Sequence, residues 1–592
     1  MFLPQLSVPQ THRFMTDVFY GYNHNLKIQQ GEAYHQHNIT LDQYPVLSQR
    51  RLRGFLQTLE NPQGMIAKDA LAWVDGDKLY YNGYAVDGVT LSVDPEDCPK
   101  QMVSMGAFLI VFPDGVYVNT QDLTDVGSIN AVFSTTAPVT YTICDPTGLE
   151  YNLAEMAVSP AQPESPVNGD YWLDTSSTQN TLKQYSAQSD TWATVPTVYV
   201  KLGSIGIGSL FSEGDGVSIS GAEYVGDNDT LKDQIDRLNT DTIVQARSDD
   251  YIVVTGIISH TYAQDSQVTI SRKAPKMDFV VESNNRLWGC RYGMTDGKML
   301  NEIYASKLGD FKNWRVYAGI STDSYAVSVG SDGPFTGAIT YNNYPFFFKE
   351  DCVHQIYGMM PSQYQVVHSR IPGVQKDSPF SLVNEGGHLF YKSPMGVCRY
   401  DGSNASYISG PLGDVVYRRA SAGTFRGKVY FSMRRTSGEW DLMVFDTARG
   451  FWCREDATQA RFFAATEYDL FFVDGKGRVA CVMGTEGQPE KPIPWEVVSG
   501  HLGYEYPDQK YMSRFNLRMS LAAGSTARLY IQYDSNGEWI PQGGEMKGNS
   551  VRTFTLPVIP RRCDHLQWML RGTGDVKLYS VAKIYESGSD VV

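Results

Sequence analysis

Apolar and aromatic runs alternate with tight turns along most of the chain, and in its second half they recur as one cassette. An apolar-aromatic run, a turn, a second apolar run and a Gly or Asp-Gly stop appear at Leu287-Trp288-Gly289, Phe346-Phe347-Phe348, Leu389-Phe390-Tyr391, Val429-Tyr430-Phe431 and Leu470-Phe471-Phe472. The steps between these runs are 59, 43, 40 and 41 residues. A period of roughly 40–50 residues, each holding several short strands, is the sequence form of β-propeller blades. No blade buries both faces alone, so the repeats must stack around an axis.

The same signals open the first half. Asp77-Lys78-Leu79-Tyr80-Tyr81 meets an Asn82-Gly83 turn, and Leu109-Ile110-Val111-Phe112 meets Asp114-Gly115 before Val116-Tyr117-Val118. Asn-Gly and Asp-Gly supply the positive φ that two-residue hairpins need. The expected class is therefore all-β: a propeller with an extended N-terminal arm, a small inserted β-module and a C-terminal β-sandwich.

Five segments follow. Residues 1–60 show little periodicity and read either as an arm packed on a neighbouring subunit or as a strand that closes the propeller ring. Residues 61–140 carry the first blades. Residues 141–250 interrupt the rhythm with a Pro-rich linker, an aromatic β-meander at 159–196 and one helix at 230–239. That helix rests on Leu231, Ile235 and Leu238 at i, i+4 and i+7, with Thr or Asp in front as its cap. The main blades resume at Tyr251 and run through 251–490. Clean alternation at Phe515, Leu517, Met519 and Leu521, then Leu529, Ile531 and Tyr533, marks the sandwich at 491–592.

Composition narrows the function classes. The chain has 592 residues, more than one core can serve. Its formal charge of −15 opposes a DNA-coating role and leaves room only for a local basic patch. Eight cysteines stand singly, without a CxxC pair, and read as free thiols made in a reducing cytoplasm. The N-terminus has no secretion pattern, and no apolar run approaches a membrane span.

Catalytic signatures are absent: no phosphate loop, HExxH, GxSxG or EF-hand loop. Gly206-Ile207-Gly208 is too short to cradle a phosphate. His35-Gln36-His37 puts two imidazoles on one side of a strand, but no third ligand stands nearby, so no metal and no cofactor are expected. Asp227-Asn228-Asp229 lacks the Gly and distal Glu of a calcium loop. Asp534-Ser535-Asn536-Gly537-Glu538-Trp539 has the wrong spacing for a sialidase-type turn. Tyr171, Trp172, Tyr185 and Trp192 form either a sugar-stacking platform or the core of their small module.

The arm motif Tyr44-Pro45-Val46-Leu47-Ser48-Gln49-Arg50-Arg51-Leu52-Arg53 is accompanied by Asn301-Glu302-Ile303-Tyr304-Ala305-Ser306-Lys307-Leu308-Gly309-Asp310-Phe311-Lys312-Asn313-Trp314 and Ser331-Asp332-Gly333-Pro334-Phe335-Thr336-Gly337. Pro560-Arg561-Arg562-Cys563-Asp564-His565 completes the set. On these residues the chain resembles the β-propeller virion proteins of tailed bacteriophages known as tail nozzle, or packaged-DNA stabilisation, proteins. The resemblance covers most of the chain outside 159–196, and its motifs are structural.

It implies a non-enzymatic protein of the virion tail, synthesised in the host bacterial cytoplasm. Such a protein assembles as a homo-oligomer, a hexameric ring, below the portal and adaptor. The ring retains packaged double-stranded DNA, contacts other tail proteins and forms part of the ejection channel. Arg50, Arg51 and Arg53 are then the expected assembly anchors, because arginine pairs bidentately with carboxylates. Pairing within the chain, to the first blade, is the alternative. Deleting residues 1–50 should leave folded monomers that form no ring. The negative balance implies an acidic channel wall past which DNA slides. A carbohydrate- or receptor-binding virion protein, using the aromatic module, is the competing reading.

Overall fold

The computed structural model describes residues 11–93, 99–151, 155–177, 180–503, 509–559 and 561–587. Cys98, the first ten residues of the arm and the last five of the chain lie outside them. Among the described residues, 54 strands stand against one α-helix and three short 3-10 turns, in twelve sheets. No helix there is long and apolar enough to cross a membrane.

Seven of the sheets are antiparallel meanders. In chain order they span 62–85, 101–128, 279–328, 337–369, 383–407, 417–456 and 460–481. The turn from first to second strand in the third, fourth and sixth sheets is Asn284-Asn285, Asn342-Asn343 and Arg426-Gly427, each with φ positive at both residues. That is the geometry whose twist matches a tight hairpin. The five recurring apolar runs are the second strands of sheets three to seven.

Those second strands explain why the runs are apolar without alternation, because neighbouring residues on each face opposite sheets. Val74 and Leu109 share a core between sheets one and two. Ile110 and Leu287 join two to three, and Trp288 and Phe347 join three to four. Phe348 meets Tyr391 between four and five, and Phe390 meets Phe431 between five and six. Tyr430 and Phe472 join six to seven. Phe471 then packs with Trp73, returning from sheet seven to sheet one. Followed in this order, the shared cores lead from sheet one through sheet seven and back to sheet one. Each fully buried side chain of this size contributes about 1.5–3 kcal/mol, so no sheet keeps its stability without both neighbours.

The N-terminal region completes the seventh sheet. Gly54–Thr58 adds antiparallel to Arg478–Cys481 and gives the seventh sheet its fourth strand. The rest of the expected arm is also spent inside the chain. Thr11–Thr16 and Leu47–Gln49 pair with Val576–Ser587, while Glu32–His37 pairs with Pro494–Ser499. The sandwich is thus built from both chain ends: two six-stranded sheets close over a core containing Phe19, Ile39, Phe515, Leu517, Leu529 and Leu570. Its boundary is not residue 491, because residues 11–49 belong to it.

The interruption is also wider than its sequence limits. Strand Ala131–Ser134 pairs with Thr269–Arg272, and Tyr251–Thr255, expected to restart the blades, pairs instead with Tyr199–Gly203. The blade-like sheets resume only at Phe279–Ser283. A helix at Asp229–Asp236 packs Leu231 and Ile235 into this insert's core, and its cap is Asn228, whose side chain accepts from the Leu231 amide at 3.0 Å. Ala157–Ser159, whose last residue opens the Pro-rich linker Ser159–Pro166, is a strand lying parallel to Tyr171–Asp174. All seven described cysteines are buried free thiols.

Candidate anion-binding site

The sixth sheet opens with the hairpin Tyr417–Phe425 and Lys428–Arg435. Its open end carries two arginine doublets, and the register sets Arg419 directly opposite Arg434. Like charges facing each other across an antiparallel pair are destabilising, and an anion between them removes that cost. The seventh sheet begins beside them at Ala460–Ala465 and adds Arg461. Lys376 comes from the loop that precedes the fifth sheet.

These groups line a cavity of about 720 Å³ that Pro99, from the link between sheets one and two, also borders. Lys376, Arg418, Arg419, Arg434, Arg435 and Arg461 face it, with Asp377 as the one carboxylate among the described residues of the lining. Arg435 is already engaged. Its guanidinium donates to Asp441, which is 1% exposed, and Arg454 Nε donates to the same carboxylate at 2.7 Å. Burial works against ionisation of Asp441, but the two arginines outweigh it and hold its pKa below the usual carboxylate value. Arg418, Arg419 and Arg461 reach the cavity from the first strands of two adjacent sheets, Arg434 from the second strand of the sixth and Lys376 from its loop. Planar guanidinium forks at this density suit phosphate or carboxylate groups. Among the described residues the lining brings no imidazole, no thiol and no pair of carboxylates.

The first strands of the seven sheets are not predominantly acidic. They carry Glu282 and Glu385 against Lys68, Arg418, Arg419 and Arg461.

The expected assembly anchors lie elsewhere, and two of them face inward. Arg53 donates to Asp456 and Glu455, at 2.8 Å each, and Arg50 donates to Glu490 at 2.8 Å and to Asn38 Oδ1 at 2.7 Å. Both arginines are buried, and only Arg51 of the three is exposed. Their partners sit on the last strand of the sixth sheet and just ahead of the sandwich, not on the first blade. Arg50 and Arg53 therefore clasp sheet to sandwich within one chain and are withdrawn from any subunit interface. Burial alone would raise the pKa of Asp456. The guanidiniums of Arg53 and Arg50, with Thr458, reverse that and bring it to about 2.

The aromatic module resolves as a core. Trp172 is buried, its indole N–H donates to the Ser159 carbonyl at 3.0 Å, and Trp192 packs edge-on at 5.6 Å between ring centroids. Tyr185 packs on Trp192, Tyr171 packs on Tyr151, and Lys183 covers the Trp172 face. Lys183 thereby occupies one face of Trp172, while Tyr171, Tyr185 and Trp192 are half-buried.

Sequence reasoning missed the cavity arginines. A signal was present: Arg418-Arg419 and Arg434-Arg435 bracket an apolar hairpin, so any tight turn between them brings four guanidiniums together.

No family model and no curated protein matches the chain. Among solved structures it is similar to an exo-beta-1,3-galactanase from Phanerochaete chrysosporium, at 9% identity and a TM-score of 0.22, over 51% of this chain and 94% of that one. A glycoside hydrolase family 43 arabinoxylan arabinofuranohydrolase from Bacillus subtilis gives 10% identity and a TM-score of 0.20 over the same shares. Similarity at that level carries no argument about activity.

Proposed function

We propose that this chain is a structural subunit of a tailed-bacteriophage tail, a seven-bladed β-propeller held on a sandwich hub, which assembles with its own copies into a ring and retains packaged DNA without bond chemistry. The return of the shared cores from sheet seven to sheet one supports the propeller reading. The pairing of N-terminal strands with C-terminal ones in one sandwich supports a load-bearing role, since it ties segments more than 500 residues apart.

The observation that carries the DNA-retaining part is the basic cavity. Retention needs contacts that hold phosphate yet break on ejection, and a handful of arginines supplies affinity that salt and force reverse. A cationic grip replaces the acidic sliding wall in this reading.

Two measurements test it. Negative-stain images of the purified chain, alone and with portal and adaptor proteins, should contain rings; monomers under both conditions overturn the assembly role. Binding to short duplex DNA should weaken with salt at a slope of roughly −0.9 per phosphate contacted. An Arg418→Ser/Arg419→Ser variant should lower that slope by about two. An unchanged slope overturns the grip.

A further inference from the structure

The fourth sheet gathers three metal-ligating side chains on one face. Cys352 immediately precedes the strand Val353–Tyr357, and His354 lies two positions on, so extended backbone turns both to the same side. The antiparallel register sets His368, on Gln365–Ser369, directly opposite His354. One thiol and two imidazoles result, with a ligand atom of each within 4.8 Å of the others. Among the described residues no other three His, Cys, Asp or Glu side chains converge this way.

A second observation points to a ligand. His354 is only 2% exposed, and its Nδ1 is buried with no hydrogen-bond partner. Its other ring nitrogen, Nε2, lies 2.7 Å from Ser331 Oγ. One nitrogen held by an outer partner while the other stays open is how a metal-binding imidazole is oriented. The cluster borders an open groove of about 510 Å³ that Asp332, Asp351 and Arg370 also line, which gives an ion a route in. The nearby Lys349 ammonium is occupied by Asn301 Oδ1 at 3.0 Å and the Ser331 carbonyl at 2.8 Å.

We propose that Cys352, His354 and His368 bind a borderline-soft divalent metal, Zn²⁺ by ligand type, with a fourth position open to the groove for water or the Asp332 carboxylate. Zn–S and Zn–N bonds of about 2.3 and 2.0–2.1 Å put tetrahedral ligand atoms roughly 3.3–3.7 Å apart. His368 is exposed and supplies the closing movement through its side-chain torsions. The Cys352 proton leaves to solvent as the S–metal bond forms, so binding weakens as pH falls.

The test uses the full chain, stripped with chelator and titrated with Co²⁺. One equivalent should bind and give a thiolate-to-cobalt absorption band, which one equivalent of Zn²⁺ then removes. Cys352→Ser should lose the band. His368→Ala, at an exposed position that leaves the circular dichroism unchanged, should weaken binding about tenfold or more. A wild-type chain that gives no band overturns the site. So does a His368→Ala chain that binds with unaltered stoichiometry and affinity, and this variant decides the matter if Cys352→Ser fails to fold.

Discussion

Two groups of arginines, built from the same side chain, do opposite work in this protein. Arg50 and Arg53 are buried among Glu455, Asp456 and Glu490, and their charge is spent on holding the sixth sheet to the sandwich. The group around Arg418, Arg419, Arg434 and Arg461 faces a cavity with Asp377 as the one carboxylate among its described lining residues. The difference teaches that a cationic motif is read by its partners. Where buried carboxylates enclose it within the chain it is a clasp, and where it lines an open cavity we read it as a receptor.

The comparison breaks most violently at the clasp. Removing residues 1–49 deletes the strands Thr11–Thr16, Gly21–Tyr22, Glu32–His37, Ile39–Thr40 and Leu47–Gln49 from both sandwich sheets. The expected product is not a ring-deficient monomer but an unfolded or aggregated chain. A sharp, native-like melting transition in the truncated protein would refute the shared sandwich.

Arg53→Ala is the finer cut. It leaves Glu455 and Asp456 buried with one cation fewer and should cost about 3–5 kcal/mol in denaturant unfolding. A loss below about 1 kcal/mol would mean that the clasp is ornamental. Trp172→Ala probes the aromatic module in the same way. A core role predicts about 3–5 kcal/mol of lost stability. A platform role predicts lost sugar binding on a glycan array with the module intact.

Acid should loosen the clasp in a defined window. The pKa of Asp456 is lowered from 3.8 unfolded to about 2 folded, so its contribution is complete above pH 3.8 and disappears as pH falls through about 2. Asp456→Asn should be less stable at neutral pH and lose that part of the acid slope. Equal acid slopes in the two proteins would detach the carboxylate from the clasp.

The receptor group should respond least in stability. Arg418→Ser, at an exposed position, is expected to change unfolding by no more than about 0.5 kcal/mol while weakening polyanion binding. A large stability loss instead would make these arginines a second clasp and erase the contrast.

Much of the sheet content was legible in the chain. Leu287-Trp288, Phe346-Phe347 and their counterparts are apolar at consecutive positions because each second strand lies between two sheets, and that pattern needs no long-range knowledge. The Asn82-Gly83 turn was equally plain, since positive φ at both positions restricts the residues that fit. The helix was placed by three spaced apolar residues, although its cap proved to be Asn228. Closure by Gly54–Thr58 was one of two readings and could not be chosen locally, because its partner, Arg478–Cys481, is more than 400 residues away. Tyr251–Thr255 looked like a blade strand for the same reason: a half-buried strand reads alike whichever sheet receives it. Of the candidate sites, His354 opposite His368 is a matter of register, and register is invisible until the hairpin's turn is fixed.

Periodicity and turn chemistry, which depend only on neighbours in sequence, determined that this chain is a series of short antiparallel meanders with apolar second strands. Tertiary structure decided which strand ends meet, and with that the fate of every charge. A guanidinium's role is set by what lies within a few ångströms of it, and in a fold closed by residues at opposite ends of the chain that distance has no counterpart in sequence separation.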